Sequence, residues 1–145
     1  MSEVTVGSLG SILPEIVLLV GGLLILLLDT TMGNKNDSGR SYMAISVLFL
    51  FVGLVGVIAQ FGRFSATGFT AEPFTALSVI DVDAFGLFVK ITIYAAMLIV
   101  AVAGGAFINN RIAGKGEFWS LFLFVTMSMS FAVSANNLLL LFLAI

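Results

Sequence analysis

The chain contains no cysteine and no histidine. That excludes disulfides, thiolate or imidazole metal centres, iron–sulfur ligation and any histidine-based catalytic set. Charge is almost as scarce: six Lys+Arg and eight Asp+Glu make up 10% of 145 residues, with a formal balance of −2. A soluble domain carries about 25% charged residues. A balance so near zero also gives no electrostatic footprint for a nucleic acid or an anionic lipid surface. Proline occurs twice, at Pro14 and Pro73. The GSLGS run near the start follows no strand and is therefore no nucleotide-phosphate loop.

What is present is apolar: 60% of the residues are hydrophobic, and they come in long blocks, the signature of membrane spans. The expected fold is an all-α polytopic transmembrane helical bundle in one membrane region, 1–145. Span one covers about residues 12–32, with Pro14 placed in its first turn, where a missing N–H costs little. Residues 1–11 hold no Lys or Arg and no small-residue cleavage site follows, so this block reads as a retained span and not a signal peptide. Span two covers about 42–61, after a polar turn from Asn34 to Arg40. The stretch Phe74 to Val82, between Pro73 and Asp83, alternates loosely and is read as a short strand or hairpin arm outside the membrane. Span three covers about 84–107 and span four about 118–133. Ser134, Ala135 and Asn136 make a tight turn into a fifth helix, about 136–145, with Asn136 or Asn137 as its N-cap. From Leu138 to Ile145 that helix rises only ~12 Å, against roughly 30 Å of hydrocarbon. The chain is therefore expected to be the N-terminal piece of a longer polytopic protein.

Loop charges suggest an orientation. Lys35 and Arg40 follow span one, and Arg111 and Lys115 follow span three. Only Arg63 follows span two, and no basic residue precedes span one. The positive-inside rule then puts the N-terminus on the outer side.

Few residues are candidates for chemistry. Lys90 is the one cation well inside an expected span, about two turns from its start. An intramembrane lysine is by default a candidate for a proton or ion path. The plainer reading is preferred here: its stem snorkels outward, or it pairs locally with Asp81 and Asp83. Glu15 and Asp29, within a turn of either end of span one, are read as interfacial anchors and not as proton entry or exit groups. Ser46, Gly53, Gly56 and Gln60 share one face of span two, and Thr126, Ser130 and Ser134 one face of span four. Both faces are read as close helix packing, because a hydrated channel needs an ionisable residue at mid-membrane and span four has none.

Three stretches, taken in order, resemble one family: subunit N of the proton-pumping NADH:quinone oxidoreductase, respiratory complex I. ILPEIVLLVGGLLILLLD (Ile12 to Asp29) is similar to the family's opening Leu-Pro-Glu helix. VDAFGLFVK (Val82 to Lys90) is similar to the entry to its third helix. EFWSLFLFVTMSMSFAVSANNLLLLFLAI (Glu117 to Ile145) resembles its fourth helix, turn and start of the fifth. The resemblance implies the N-terminal third of an antiporter-like membrane-arm subunit that helps couple electron transfer from NADH to quinone to proton translocation. It implies no flavin, iron–sulfur cluster, nicotinamide or metal in this chain, and no bound small-molecule substrate. The expected partners are other membrane-arm subunits and the bilayer of an energy-coupling membrane, such as a bacterial inner membrane. Family proton-path residues on helix five and beyond map onto no position here. Lys90 matches a position often basic in the family but outside its accepted proton path. The first three spans look like scaffold that packs on neighbours. Two alternatives remain: a subunit of a multisubunit cation/proton antiporter, and a complete small structural membrane protein.

Overall fold

Four helices account for nearly all of the chain that is described: α1 (Ser2–Met32), α2 (Ser38–Ala66), α3 (Ala84–Arg111) and α4 (Lys115–Val133). The computed structural model describes residues 2–32, 38–66, 84–111, 114–135 and 142, and only the backbone of 2–11, 32, 38, 63–66 and 109–111. Each helix contains an apolar segment long enough to cross a membrane: Ile12–Thr31, Gly39–Gly62, Ala84–Ile108 and Lys115–Val133. The expected strand at Phe74 to Val82 lies outside the described residues, as does the expected fifth helix except for Phe142.

α1, α2 and α3 are longer than the ~20 residues needed to cross the hydrocarbon. At 31 residues α1 is ~46 Å long, so its helix starts well before the apolar segment that begins at Ile12. Pro14 consequently stands inside the helix and not in its first turn. Its ring faces Gly56 of α2, whose missing side chain leaves room for it: a Cβ there would lie 3.5 Å from Pro14 Cγ. A proline inside a membrane helix is tolerated where neighbouring elements make up for the lost hydrogen bond.

The distribution of side chains is that of a protein dissolved in lipid. Leu27, Leu48, Phe51, Phe85, Ile99, Phe107 and Leu121 all point outward, while Glu15, Ser46, Lys90, Ser120, Thr126 and Ser130 are buried. A water-soluble bundle would bury the first set and expose most of the second. The protein is an integral membrane protein.

Its inner seam repeats every three or four residues. Buried positions run Gly116, Trp119, Leu123, Thr126 and Ser130 along α4, and Leu87, Lys90, Tyr94 and Ala101 along α3. Such a 3.5-residue period keeps one stripe facing the neighbours in a left-handed bundle. Glycines bring the helices close. The Gly21–Gly22 pair of α1 receives Phe49 of α2 on one side and Phe124 of α4 on the other, where an added Cβ would come within 2.6 Å of either ring. Gly105 of α3 accommodates Met43 of α2, and Gly116 of α4 accommodates Asp29 of α1. Successive helices are therefore antiparallel: low-numbered residues of α1 meet high-numbered residues of α2 and α4.

The four helices do not form a square. α1 and α3 each pack on both α2 and α4, and α2 also touches α4 across the middle. The backbones of α1 and α3 make no contact among the described residues. They occupy the far corners of a rhombus, and only side chains can join them. α4 starts from Gly114 without a side-chain cap, and its first-turn acid is Glu117. It ends in a tight turn, with Ser134 N–H donating to Phe131 O at 3.1 Å and Ala135 N–H to Ala132 O at 3.3 Å.

Candidate functional site: an ion pair across the bundle

One strong polar contact crosses the long diagonal. Lys90 Nζ of α3 donates to Glu15 Oε1 of α1 at 2.6 Å. Both residues are almost completely shielded, with 3% of Lys90 and 1% of Glu15 exposed. Lys90 lies six residues into α3, ~9 Å along the axis, and Glu15 three residues past Ile12, ~5 Å along its own. The extended lysine stem covers the gap that the two backbones leave. Around the pair, Gly53 of α2 seats the Tyr94 ring, Gly56 seats Pro14, and Thr126 and Ser130 of α4 are buried.

A third helix joins the pair. Ser130 Oγ of α4 donates to the same Glu15 Oε1 at 2.6 Å. The donor-rich side of the carboxylate thus carries a lysine ammonium and a serine hydroxyl, both charge-assisted contacts of the stronger kind. Ser130 is three residues from the end of α4, so the cluster lies near the membrane face that holds the start of α1, the start of α3 and the end of α4. Tyr94, one turn below Lys90 on α3, completes the group. Its ring is fully buried against Gly53, and its hydroxyl lies beside Ser130 within electrostatic range of Glu15.

The structure changes the reading of Glu15. It is no interfacial anchor: it is enclosed by three helices and holds both Lys90 and Ser130. The physical cause is the position of Pro14, which marks the interior of α1 and not its beginning, so Glu15 has twelve helical residues before Pro14 above it. Lys90 finds its counter-charge on α1; Asp81 and Asp83, the expected partners, lie outside the described residues. Ser46 is buried and donates to Tyr42 O at 2.9 Å, and Gly53 seats Tyr94, so the small-residue face of α2 is a packing face. The hydroxyl face of α4 is mixed: Thr126 turns back to Phe122 O at 2.8 Å, while Ser130 engages the carboxylate. Asp29, half-buried at the other end of α1, rests over Gly116 in the first turn of α4. An anion is favoured there by the positive end of that helix.

This arrangement can hold a charge pair in lipid and tie three helices together. Among the described residues no group of three acidic, cysteine or histidine side chains could hold a metal ion. Removing one donor tests the geometry. Ser130→Ala leaves the ion pair in place but deprives a buried carboxylate of one charge-assisted hydrogen bond, worth about 1.5–3 kcal/mol. The expected result is a lower melting temperature in detergent with the helical content unchanged.

Comparison with known proteins places the chain among relatives. It is 31% identical over 135 residues to F420H2 dehydrogenase subunit N of Methanosarcina mazei, covering 90% of this chain and 26% of that protein. It is 31% identical over 134 residues to NADH-quinone oxidoreductase subunit N of Sphingopyxis alaskensis, covering 92% of the chain and 26% of the relative. The same subunit of Nitrosomonas europaea is 30% identical over 133 residues, again with 91% of this chain and 26% of the relative. The chain thus spans about a quarter of the length of the curated relatives it matches. No family model matches it, and no solved structure does.

Proposed function

This chain is a homologue of the subunit N proteins over nine-tenths of its length, and on that basis we propose that it forms part of the membrane arm of a proton-translocating, complex I-type quinone oxidoreductase. The single observation that carries the reading is that similarity, which runs through all four spans and agrees with the three motif stretches quoted above. The relatives carry different electron donors in their names, F420H2 in one and NADH in others. What they share is subunit N, so donor choice belongs to other subunits, and NADH is our reading for this chain.

The four helices then serve as scaffold. Their outer faces are apolar and turned to lipid or to neighbouring membrane subunits, while the ion pair fixes α1 against α3 and α4. Redox chemistry takes place elsewhere in the assembly, and proton transfer relies on residues beyond these spans. The membrane is an energy-coupling one, such as a bacterial inner membrane, with the N-terminus outside.

An affinity tag on the protein that carries this chain provides the test. It is expected to co-purify with other membrane and electron-transfer subunits, and its deletion is expected to abolish donor-driven proton uptake by inverted vesicles. Elution alone, with donor-driven quinone reduction unchanged by the deletion, would overturn the reading. Because the chain has no cysteine, Asn36→Cys and Thr67→Cys report the orientation: an impermeant thiol reagent added to intact cells should label position 67 and not position 36.

A further inference from the structure

The ion pair leaves two buried polar atoms unanswered. Among the described residues Glu15 accepts two hydrogen bonds at Oε1 and none at Oε2, although Oε2 is shielded from solvent. Tyr94 Oη is equally shielded and has no partner of good hydrogen-bond geometry among the described residues, with Ser130 beside it. The two belong to one cluster, since Ser130 stands beside the phenol and also donates to Glu15. A buried carboxylate oxygen without a donor, or a buried phenol without a partner, bears the full desolvation penalty of that group. Native proteins seldom leave such groups in pairs; an internal water is their usual partner, and it needs two to four polar neighbours.

We propose that Glu15 Oε2 and Tyr94 Oη together hold one internal water molecule. The bookkeeping of donors and acceptors closes. Tyr94 Oη donates to the water, the water donates to Glu15 Oε2, and its second hydrogen is free to reach the Ser130 hydroxyl oxygen. Both carboxylate oxygens are then satisfied, one by Lys90 and Ser130 and the other by water. The glycine at position 53 is part of the design, because its missing side chain is what lets the Tyr94 ring lie close enough to α2 to keep its hydroxyl in the cluster. The result is one hydrogen-bonded chain, Lys90–Glu15–water–Tyr94, that starts and ends on α3 and passes through α1. A buried ion pair is thereby hydrated from within the bundle. This inference rests on the cluster alone and is independent of the functional reading.

The test is a structure of the protein that carries this chain, in its native membrane assembly, at a resolution that shows ordered water. The expected result is density for a single water within hydrogen-bond distance of both atoms, with the Glu15–Lys90 pair intact. In Tyr94→Phe that density should be lost while the pair and the helices stay in place. A direct bond between Oε2 and Oη, a partner supplied by residues 67–83 or 136–145, or a closed site without density would overturn the proposal. A water that keeps its place in Tyr94→Phe would overturn it as well. The wild-type map decides by itself should the variant fail to accumulate.

Discussion

Lys90→Met is expected to lower the stability of the bundle by roughly 3–5 kcal/mol, the cost of breaking a buried ion pair from one side. The size follows from what remains. Methionine fills much of the volume of the lysine stem, so packing against α2 and α4 changes little. Glu15, however, keeps its place between three helices with Ser130 as its one remaining side-chain donor among the described residues. No other basic side chain approaches it among the described residues, and lipid surrounds the bundle where water would surround a soluble one. Glu15→Gln should cost a comparable amount for the opposite reason, since it strands the ammonium of Lys90. The informative variant is the double one, Glu15→Gln/Lys90→Met, which carries no charge into the core. Neutral, well-packed replacements of buried pairs are often as stable as the pair itself. The double variant should therefore melt well above either single one, and its loss should fall clearly short of the sum of the two. Thermal unfolding in detergent, followed by helical signal, reads all four proteins. Equal or additive losses would mean that the two side chains do not depend on each other. A snorkelling lysine, by contrast, would tolerate methionine with little change.

The helices were open to reading from the sequence, and the partnership within the site was not. Four apolar blocks separated by polar turns announce four spans, because in lipid a backbone has few alternatives to the helix. Helix ends were harder to see. Ser2 to Ser11 and Phe64 to Ala66 are helical, yet nothing in their polarity marks them, since a helix outside hydrocarbon has no need of an apolar run. The site depends on the N-terminal end: placing Pro14 in the first turn puts Glu15 at the surface, whereas the helix begins at Ser2 and Glu15 is buried. Lys90 stood out as a lone cation, but its partner is 75 residues away on a helix whose backbone it never touches. Hydropathy cannot reveal the inner face here, because the outer face is just as apolar. The signal that could have found the site is the inventory of exceptions. Span one contributes Glu15, span three Lys90 and span four Ser130, and alternating topology puts all three near the same membrane face. One acid and one base at similar depth on antiparallel-linked spans are better explained by each other than by separate routes to water.

Among Gly53, Gly56 and Gly62 of α2, Gly53→Ala is expected to be the most damaging alanine substitution, at about 1–3 kcal/mol. A Cβ at that position would lie 2.5 Å from Tyr94 Cε1 and 3.2 Å from Cδ1. The obstacle is the edge of a rigid ring that is fully buried, so it cannot be relieved by swinging a flexible chain end aside. Either α2 moves away from α3 or the ring tilts, and tilting draws its hydroxyl out of the cluster with Glu15 and Ser130. Two neighbouring glycines separate this clash from any general effect of alanine. At Gly56 the nearest atom would be Pro14 Cγ at 3.5 Å, an ordinary contact, and at Gly62 nothing lies within 4 Å. Alanine at either position removes the entropic cost of glycine in a helix, about 0.5–1 kcal/mol. The three variants should therefore rank Gly62→Ala and Gly56→Ala at or above the parent in melting temperature and Gly53→Ala well below it. Adding Tyr94→Leu to Gly53→Ala should recover part of the loss, since the ring edge is then gone, although on its own Tyr94→Leu leaves a void against Gly53. A Gly53→Ala protein as stable as the parent would mean that the ring and α2 are not in contact, and the tight seat of Tyr94 beside the ion pair would fall with it.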